Sequence, residues 1–349
     1  MGRFGGMPVS LLFTVAGSLA PVVGTEVSVA GQNVFVVLYG PTSSGKTKMS
    51  VELAQRIRRT LARETVIVSA DSRQVYRYLD IGTSKTTSEE MQDVPHQMIS
   101  VADPVRKFEL DDYVPLARQH IQDAFAKGKV PFVVGGTGIY VKALLEGWDV
   151  ARSSTVRDTL RRDFPKAMMG DAYSMLRRLD RTTAARVHPN NYEAIINALA
   201  SAMAPDEKRR DDTNVRTVVL GLSPAQRALD QRVERTYDAQ VSRGLYDEIQ
   251  SLNARYHLDR EVREVHKRGR ESQNQVLHTH GYREFFEVAV ERGKPVGKLS
   301  ANDLAEVRTR VVEHIRGYTR RQLTFLRKLP DVKLVTSADH AVAGLRDSR

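Results

Sequence analysis

The residues GPTSSGKT, Gly40 to Thr47, set the first chemical constraint. A loop of the form G-x-x-x-x-G-K-[ST] curls backbone N–H groups around phosphate oxygens, adds the point charge of a lysine and offers a hydroxyl to Mg²⁺. Here Gly40, Pro41, Thr42, Ser43, Ser44 and Gly45 form the cradle, Lys46 supplies the charge and Thr47 the metal-facing hydroxyl. The pattern leaves open whether the phosphates belong to ATP. Asp71, just past the apolar run TVIVSA, can reach Mg²⁺ through water, act as a general base or cap a following helix. Arg73, Tyr76 and Arg77 behind it suit stacking or phosphate contact and suit a solvated helix face equally well. Thr137, in VVGGTGIYVKALLEG, has glycines on both sides, which implies a tight turn and close approach to a ligand; a plain strand-to-helix turn has the same spacing.

Other polar residues read as structural. Asp103 in VADP is a turn starter rather than a metal ligand. His188, His278, His280 and His314 share no spacing with metal-binding carboxylates and read as solvated or core histidines. Trp148 reads as packing.

The elements that must position these groups follow from hydrophobic periodicity. VFVVLY from Val34 is a continuous apolar run ending in the loop, as a parallel strand buried on both faces requires. A helix follows, with Met49, Leu53, Ile57 and Leu61 at helical spacing. Strands are expected at Thr65 to Ala70, His96 to Val101, Val130 to Gly136 and Arg216 to Leu222, with a helix from Asp111 to Ala126 stopped by Lys127-Gly128-Lys129. The fold class is therefore α/β: a P-loop NTPase-like parallel sheet flanked by helices, whose ligands sit at the carboxyl ends of the strands. The division expected is an extra tail over 1–33, a P-loop core over 34–149, a helical insertion over 150–212 acting as a substrate lid, the rest of the core with long basic helices over 213–330, and a tail over 331–349. After Ser223-Pro224 one long helix runs towards Ala254, His257 to Gln275 is a loop or an exposed helix, and Asn302 to Leu329 is the last helix.

The 349 residues are 41% hydrophobic and suffice for one large core or two moderate ones. A net charge of +11 favours a polyanionic partner. Without cysteine there are no disulfides or thiolate metal sites, and a reducing compartment is permitted. Leu11 to Leu19 is too short an apolar run to span a membrane. It has the look of a short secretory leader, but a non-native start, a disordered tail or an extra edge element fits the enzyme-like sequence behind it better.

Taken in order, GPTSSGKT, SADSRQVYRYLDIGTSK, VPHQMISVADP, VVGGTGIYVKALLEG, RVHPNN and GYTRRQLTFLRK resemble the tRNA dimethylallyltransferases from about Val34 to Pro330. The resemblance implies a cytoplasmic, monomeric enzyme that uses Mg²⁺. It would move the allylic group of dimethylallyl diphosphate to N6 of adenosine 37, beside the anticodon of tRNAs reading codons that start with U. It further implies that the loop and Arg232 hold the donor's diphosphate and that Asp71 accepts the N6 proton. Thr137 would bond the oxygen bridging donor carbon and diphosphate. Asp71, Ser72, Arg73 and Gln74, with Thr137, Arg320 and Arg321, would meet the anticodon stem-loop. Two positions depart from the family pattern. An arginine expected in LSPAQRALDQRV falls on Gln226, with Arg227 adjacent, and the Gln-Arg pair and second Arg expected after HPN are Glu193, Ala194 and Asn197. The lost cations are worth on the order of 1 to 3 kcal/mol each if they read bases.

Three other readings fit parts of the pattern. A prenyltransferase for free AMP would have little use for so basic a C-terminal half. A small-molecule kinase would use Arg157, Arg161, Arg162, Arg177 and Arg178 as a lid over ATP. A non-catalytic tRNA-binding relative would explain Glu193 to Asn197 but not the intact Lys46, Thr47, Asp71 and Thr137.

Overall fold

A computed structural model describes residues 33–147, 150–203, 215–268, 272–338 and 341. The stretch read as a leader or tail and Trp148 lie outside the described residues. Six strands form one sheet in the order β3-β2-β4-β1-β5-β6, every neighbouring pair parallel. They are β1 (Asn33–Tyr39), β2 (Thr65–Ala70), β3 (His96–Gln97), β4 (Val130–Gly135), β5 (Val215–Gly221) and β6 (Lys333–Leu334). Along β1 the side chains alternate between two cores, Phe35, Val37 and Tyr39 entering one and Val36 and Leu38 the other. That two-sided burial is why the run carries no polar alternation.

Thirteen α-helices are described: α1 (Lys46–Leu61), α2 (Ser88–Met91), α3 (Leu110–Ala126), α4 (Gly138–Leu145), α5 (Val150–Asp163), α6 (Met169–Leu179), α7 (Arg181–Ala184), α8 (Tyr192–Met203), α9 (Gln226–Ser242), α10 (Leu245–Tyr256), α11 (Leu258–Arg268), α12 (Arg283–Glu291) and α13 (Ala301–Leu326). α5 to α8 pack on one another around Leu160, Leu176, Ile195, Ile196 and Leu199, a core separate from the two that flank the sheet. α13 starts at a capping box in which Ser300 and Asp303 exchange side-chain and backbone bonds.

Several expectations change in detail. The third strand shrinks to His96–Gln97, because Met98 and Ser100 take positive φ values of 64° and 55°. The single helix expected after Pro224 is two, α9 and α10, divided at Gly244, whose φ of 97° only glycine adopts without strain. The charged stretch after His257 is the helix α11, and the segment beyond Pro330 contributes the edge strand β6.

One glycine sets how closely β2 and β4 approach at their carboxyl ends. A Cβ on Gly135 would lie 2.1 Å from the Ala70 carbonyl oxygen, so the backbone itself would have to move. The chain continues from there into Thr137, whose N–H donates to the same Ala70 oxygen at 3.0 Å. Gly135→Ala should cost about 1–3 kcal/mol, or more if β4 shifts, read as a lower urea midpoint at unchanged m value. Gly170→Ala, on α6 where an added Cβ meets nothing within 4 Å, should be neutral or stabilising by about 0.4–1 kcal/mol in the same titration.

Candidate active site

The phosphate loop turns sharply between β1 and α1. Gly45 takes φ 92° and Ser43 φ 61°, so successive N–H groups curve towards a common centre. Gly40 has no room for a side chain, since a Cβ would stand 2.9 Å from Leu222 Cβ and 3.0 Å from Ser44 Oγ. Ser44 Oγ is buried with no hydrogen-bond partner among the described residues, and an orphan hydroxyl inside such a cradle suits a bound oxyanion. Lys46 Nζ donates to the Pro41 carbonyl at 2.8 Å. Burial pushes the Lys46 ammonium down to about 8, against the opposing pull of the Asp71 charge.

Two helices from the C-terminal half close on the loop. From α9, Arg232 Nη1 donates to the Ser44 carbonyl at 3.4 Å, and Thr236 Oγ1 accepts from Ser43 Oγ at 3.2 Å. From α13, Gln322 Oε1 accepts from the Thr42 N–H and Gln322 Nε2 donates to the Gly136 carbonyl, both at 2.9 Å. Gln322 thus ties the loop to the turn that carries Thr137.

Asp71 and Thr137 end the two neighbouring strands, β2 and β4. Asp71 Oδ1 accepts from the N–H groups of Arg73 at 2.8 Å and Gln74 at 3.3 Å, and fixes a turn rather than the first turn of a helix, since none follows there. Thr137 Oγ1 accepts from the Ser72 N–H at 2.9 Å, so hydroxyl and carboxylate are held by adjacent residues of one turn. Tyr318, from α13, stands beside the Thr137 side chain, and burial, then the Asp71 charge, raises its phenol above the ordinary range. Lys46, Thr47, Asp71 and Gln74 line one cavity of about 40 Å³. The Thr47 hydroxyl and the Asp71 carboxylate are the hard oxygen donors Mg²⁺ requires. A larger cavity of about 430 Å³, lined by Asp103, Arg106, Asp111 and Asp112, shares no residue with it.

The remaining candidates divide. Arg73 Nη1 reaches Gln275 Oε1 and Thr279 Oγ1, each at 3.4 Å, and Gln74 Nε2 donates to the Ser84 carbonyl at 3.2 Å. Arg320 and Arg321 are exposed, with the Arg321 guanidinium 5.7 Å from the Tyr318 ring. Tyr76 is not a surface aromatic; it is buried, and its hydroxyl accepts from the Phe108 N–H at 2.8 Å. Asp103 is a turn residue, accepting from the Val105 N–H at 3.1 Å. Glu193 pairs with Arg161 of α5 at 3.0 Å, so the departure on α8 also neutralises a neighbouring cation. His280 and His314 do meet a carboxylate: they come together with Glu284 because the turn before α12 and its first residues pack on α13.

Gln322 and Glu248 were not picked out from sequence, and nothing there brought Tyr318 to the strand ends. Tyr318 and Gln322 lie four apart on α13 and so share a face, a signal hidden by the basic residues between them. Glu248 accepts from the N–H groups of Asp80, Ile81 and Gly82 and from the Tyr282 hydroxyl, and shapes the loop whose Lys85 donates to the Tyr76 carbonyl at 2.6 Å. Nothing in a lone glutamate on a helix announces that.

Residues 74–329 match the family model described as IPP transferase, and residues 33–102 match that described as Isopentenyl transferase. A tRNA dimethylallyltransferase of Koribacter versatilis is 35% identical over 307 residues, covering 85% of this chain and 91% of that protein. One of Roseiflexus sp. is 34% identical with the same two coverages. Among solved structures, a full-length tRNA isopentenylpyrophosphate transferase of Bacillus halodurans aligns with a TM-score of 0.56 at 28% identity, covering 90% of this chain and 97% of that one. A eukaryotic dimethylallyltransferase acting on tRNA, 23% identical, shares the fold with a TM-score of 0.68 over 88% of this chain and 74% of its own. On this evidence of sequence and fold, the chain belongs to the IPP transferase family.

Proposed function

We propose that the chain transfers a dimethylallyl group from dimethylallyl diphosphate to N6 of an adenosine in tRNA, at position 37 of tRNAs reading codons that begin with U, and that it acts as a monomer in the cytoplasm. The observation that carries the reaction is the convergence of Lys46, Asp71 and Thr137 at three neighbouring strand ends, with the half-buried Lys46 cation beside the Asp71 carboxylate.

Each residue answers a chemical need. The exocyclic amine of adenine is a poor nucleophile because its lone pair is delocalised, whereas an allylic carbon releases diphosphate readily once that charge is stabilised. The curved N–H groups of the loop, Lys46 and Arg232 stabilise the leaving diphosphate, and they are worth most where water is excluded. Mg²⁺, held by the Thr47 hydroxyl and the Asp71 carboxylate, would supply further neutralisation of the diphosphate. Asp71 takes the N6 proton as the carbon–nitrogen bond forms and the carbon–oxygen bond breaks. Thr137 holds the bridging oxygen, and the Ser72 N–H fixes its rotamer. The target base has to leave its stack to reach this depth, and exposed Arg320 and Arg321 with the α5–α8 unit offer the anticodon stem-loop its grip.

The direct test incubates the protein with dimethylallyl diphosphate, Mg²⁺ and total tRNA and analyses nucleosides by mass spectrometry. A prenyl mass gain on adenosine supports the reading, and transfer of labelled γ-phosphate from ATP without it overturns it. Asp71→Asn should lower kcat by about 10²- to 10⁴-fold. Binding of a non-reacting donor analogue should weaken as pH rises above about 8. Lys46 is charged below that value and neutral above it, so each further pH unit costs up to about tenfold. Lys46→Arg, which stays charged, should show no such fall. Finally, the triple change Glu193→Gln, Ala194→Arg and Asn197→Arg removes one anion and adds two cations on α8. Filter binding across a salt series should show tighter tRNA binding and a log–log slope steeper by about 0.7–0.9 for each new phosphate contact.

A further inference from the structure

The turn before α12 and the middle of α13 bring together three side chains that the proposed reaction does not use. Glu284 is fully buried, and its Oε1 lies 3.1 Å from His280 Nδ1 and 2.7 Å from His314 Nδ1. The three ligand-type atoms all fall within 4.8 Å of one another. The imidazole rings face each other at 5.3 Å between centroids, and both side chains are only partly covered, at 27% and 37% exposure.

We infer that His280, Glu284 and His314 form a binding site for a divalent first-row transition ion, for which zinc is the best fit. Two neutral imidazole nitrogens and one carboxylate oxygen are the donor set zinc takes, at about 2.0–2.2 Å per bond, with water completing a tetrahedron. Tetrahedral donors at that bond length stand about 3.3 Å apart. The oxygen–nitrogen separations here therefore need to open by about 0.2 Å for His280 and about 0.6 Å for His314, a movement that partly exposed rings on two different elements can make. Mg²⁺ is excluded by the same chemistry, since it prefers oxygen ligands in an octahedron.

The carboxylate is already oriented for this task. Glu284 Oε2 accepts from the Gly281 N–H at 2.8 Å, which holds the carboxylate with Oε1 turned towards the two rings. Arg283 is the one unfavourable neighbour: its Nη2 lies 3.4 Å from His314 Nδ1 and its Nε 3.5 Å from Glu284 Oε1. The Arg283 side chain also faces Glu287 at 3.6 Å, where it remains paired if it yields the imidazole nitrogen to an ion. A bound ion would clamp the start of α12 to α13 one helical turn from Tyr318, whose ring centroid stands 6.3 Å from that of His280. The site stands independently of prenyl transfer, and neither reading falls with the other.

The test uses the tag-free, chelator-stripped full-length chain, titrated with Zn²⁺ and separately with Co²⁺ in excess Mg²⁺. Bound metal is counted by mass spectrometry, and cobalt coordination is read from visible absorption. One zinc per chain and the intensified bands of tetrahedral cobalt are expected. His280→Gln and His314→Gln should each weaken binding by at least about 100-fold while leaving the circular dichroism spectrum unchanged. Both histidines are partly exposed, so these variants keep the test valid even if Glu284→Gln fails to fold. Substoichiometric zinc, cobalt spectra like those of the aqueous ion, or affinity that survives in either single variant overturns the assignment.

Discussion

The constraint on which the site depends is the backbone approach at the carboxyl ends of β2 and β4. With no side chain at Gly135, the Ala70 carbonyl can sit against it and accept the Thr137 N–H, and the two chains then leave the sheet side by side. From that point the geometry propagates through short polar links. Thr137 receives the Ser72 N–H, Asp71 receives those of Arg73 and Gln74, and Gln322 spans from Gly136 to the loop at Thr42. Carboxylate, hydroxyl and phosphate cradle are thus fixed relative to one another by the main chain, and little is left to flexible side chains. For a reaction that gains most from preorganised donors, rigid placement counts for more than any single contact.

A second consequence concerns the lysine. Burial opposes the charge on Lys46, and the Pro41 carbonyl with the Asp71 charge offsets that only in part. The free protein therefore holds a cation that is underpaired until an anion arrives. Ser44 Oγ, buried with no partner among the described residues, adds to the same deficit. Such a site is at its most favourable when a highly charged anion enters, and under the proposed reaction that preference grows as charge develops on the leaving group.

The catalytic half of the fold was largely legible in the sequence, because its signals are local. Continuous apolar runs ending in glycine-rich turns mark strands whose carboxyl ends carry ligands, and β1, β2 and β4 lie within a residue of where periodicity puts them. What escaped was everything set by packing between distant segments. Gln322 reaches the site only because the end of α13 packs on the turns that follow β1 and β4, and the separation from Thr42 to Gln322 is 280 residues. His280 and Glu284 are spaced one helical turn apart, but the third member of their cluster comes from α13, which no local pattern brings near. Gly244 divides α9 from α10 through its backbone conformation, a property that composition alone does not reveal.

The excess positive charge acquires a finer meaning once the arginines are sorted by partner. Arg308 is held by Asp238, Arg310 by Glu291, Arg292 by Asp303, Arg316 by Glu234 and Arg157 by Asp111, and in each case the pair joins two elements of the scaffold. Those cations are already committed and contribute little to a field for a distant polyanion. Arg320, Arg321 and Arg327, at the end of α13 nearest the pocket, have no carboxylate partner among the described residues and are exposed. A group of uncompensated cations therefore stands at the end of α13 whose Gln322 ties the loop, and local charge of that sign attracts a polyanion. On α8 the same logic runs in reverse: Glu193 spends Arg161 in an exposed pair, so the helical unit offers less attraction than its arginine count suggests.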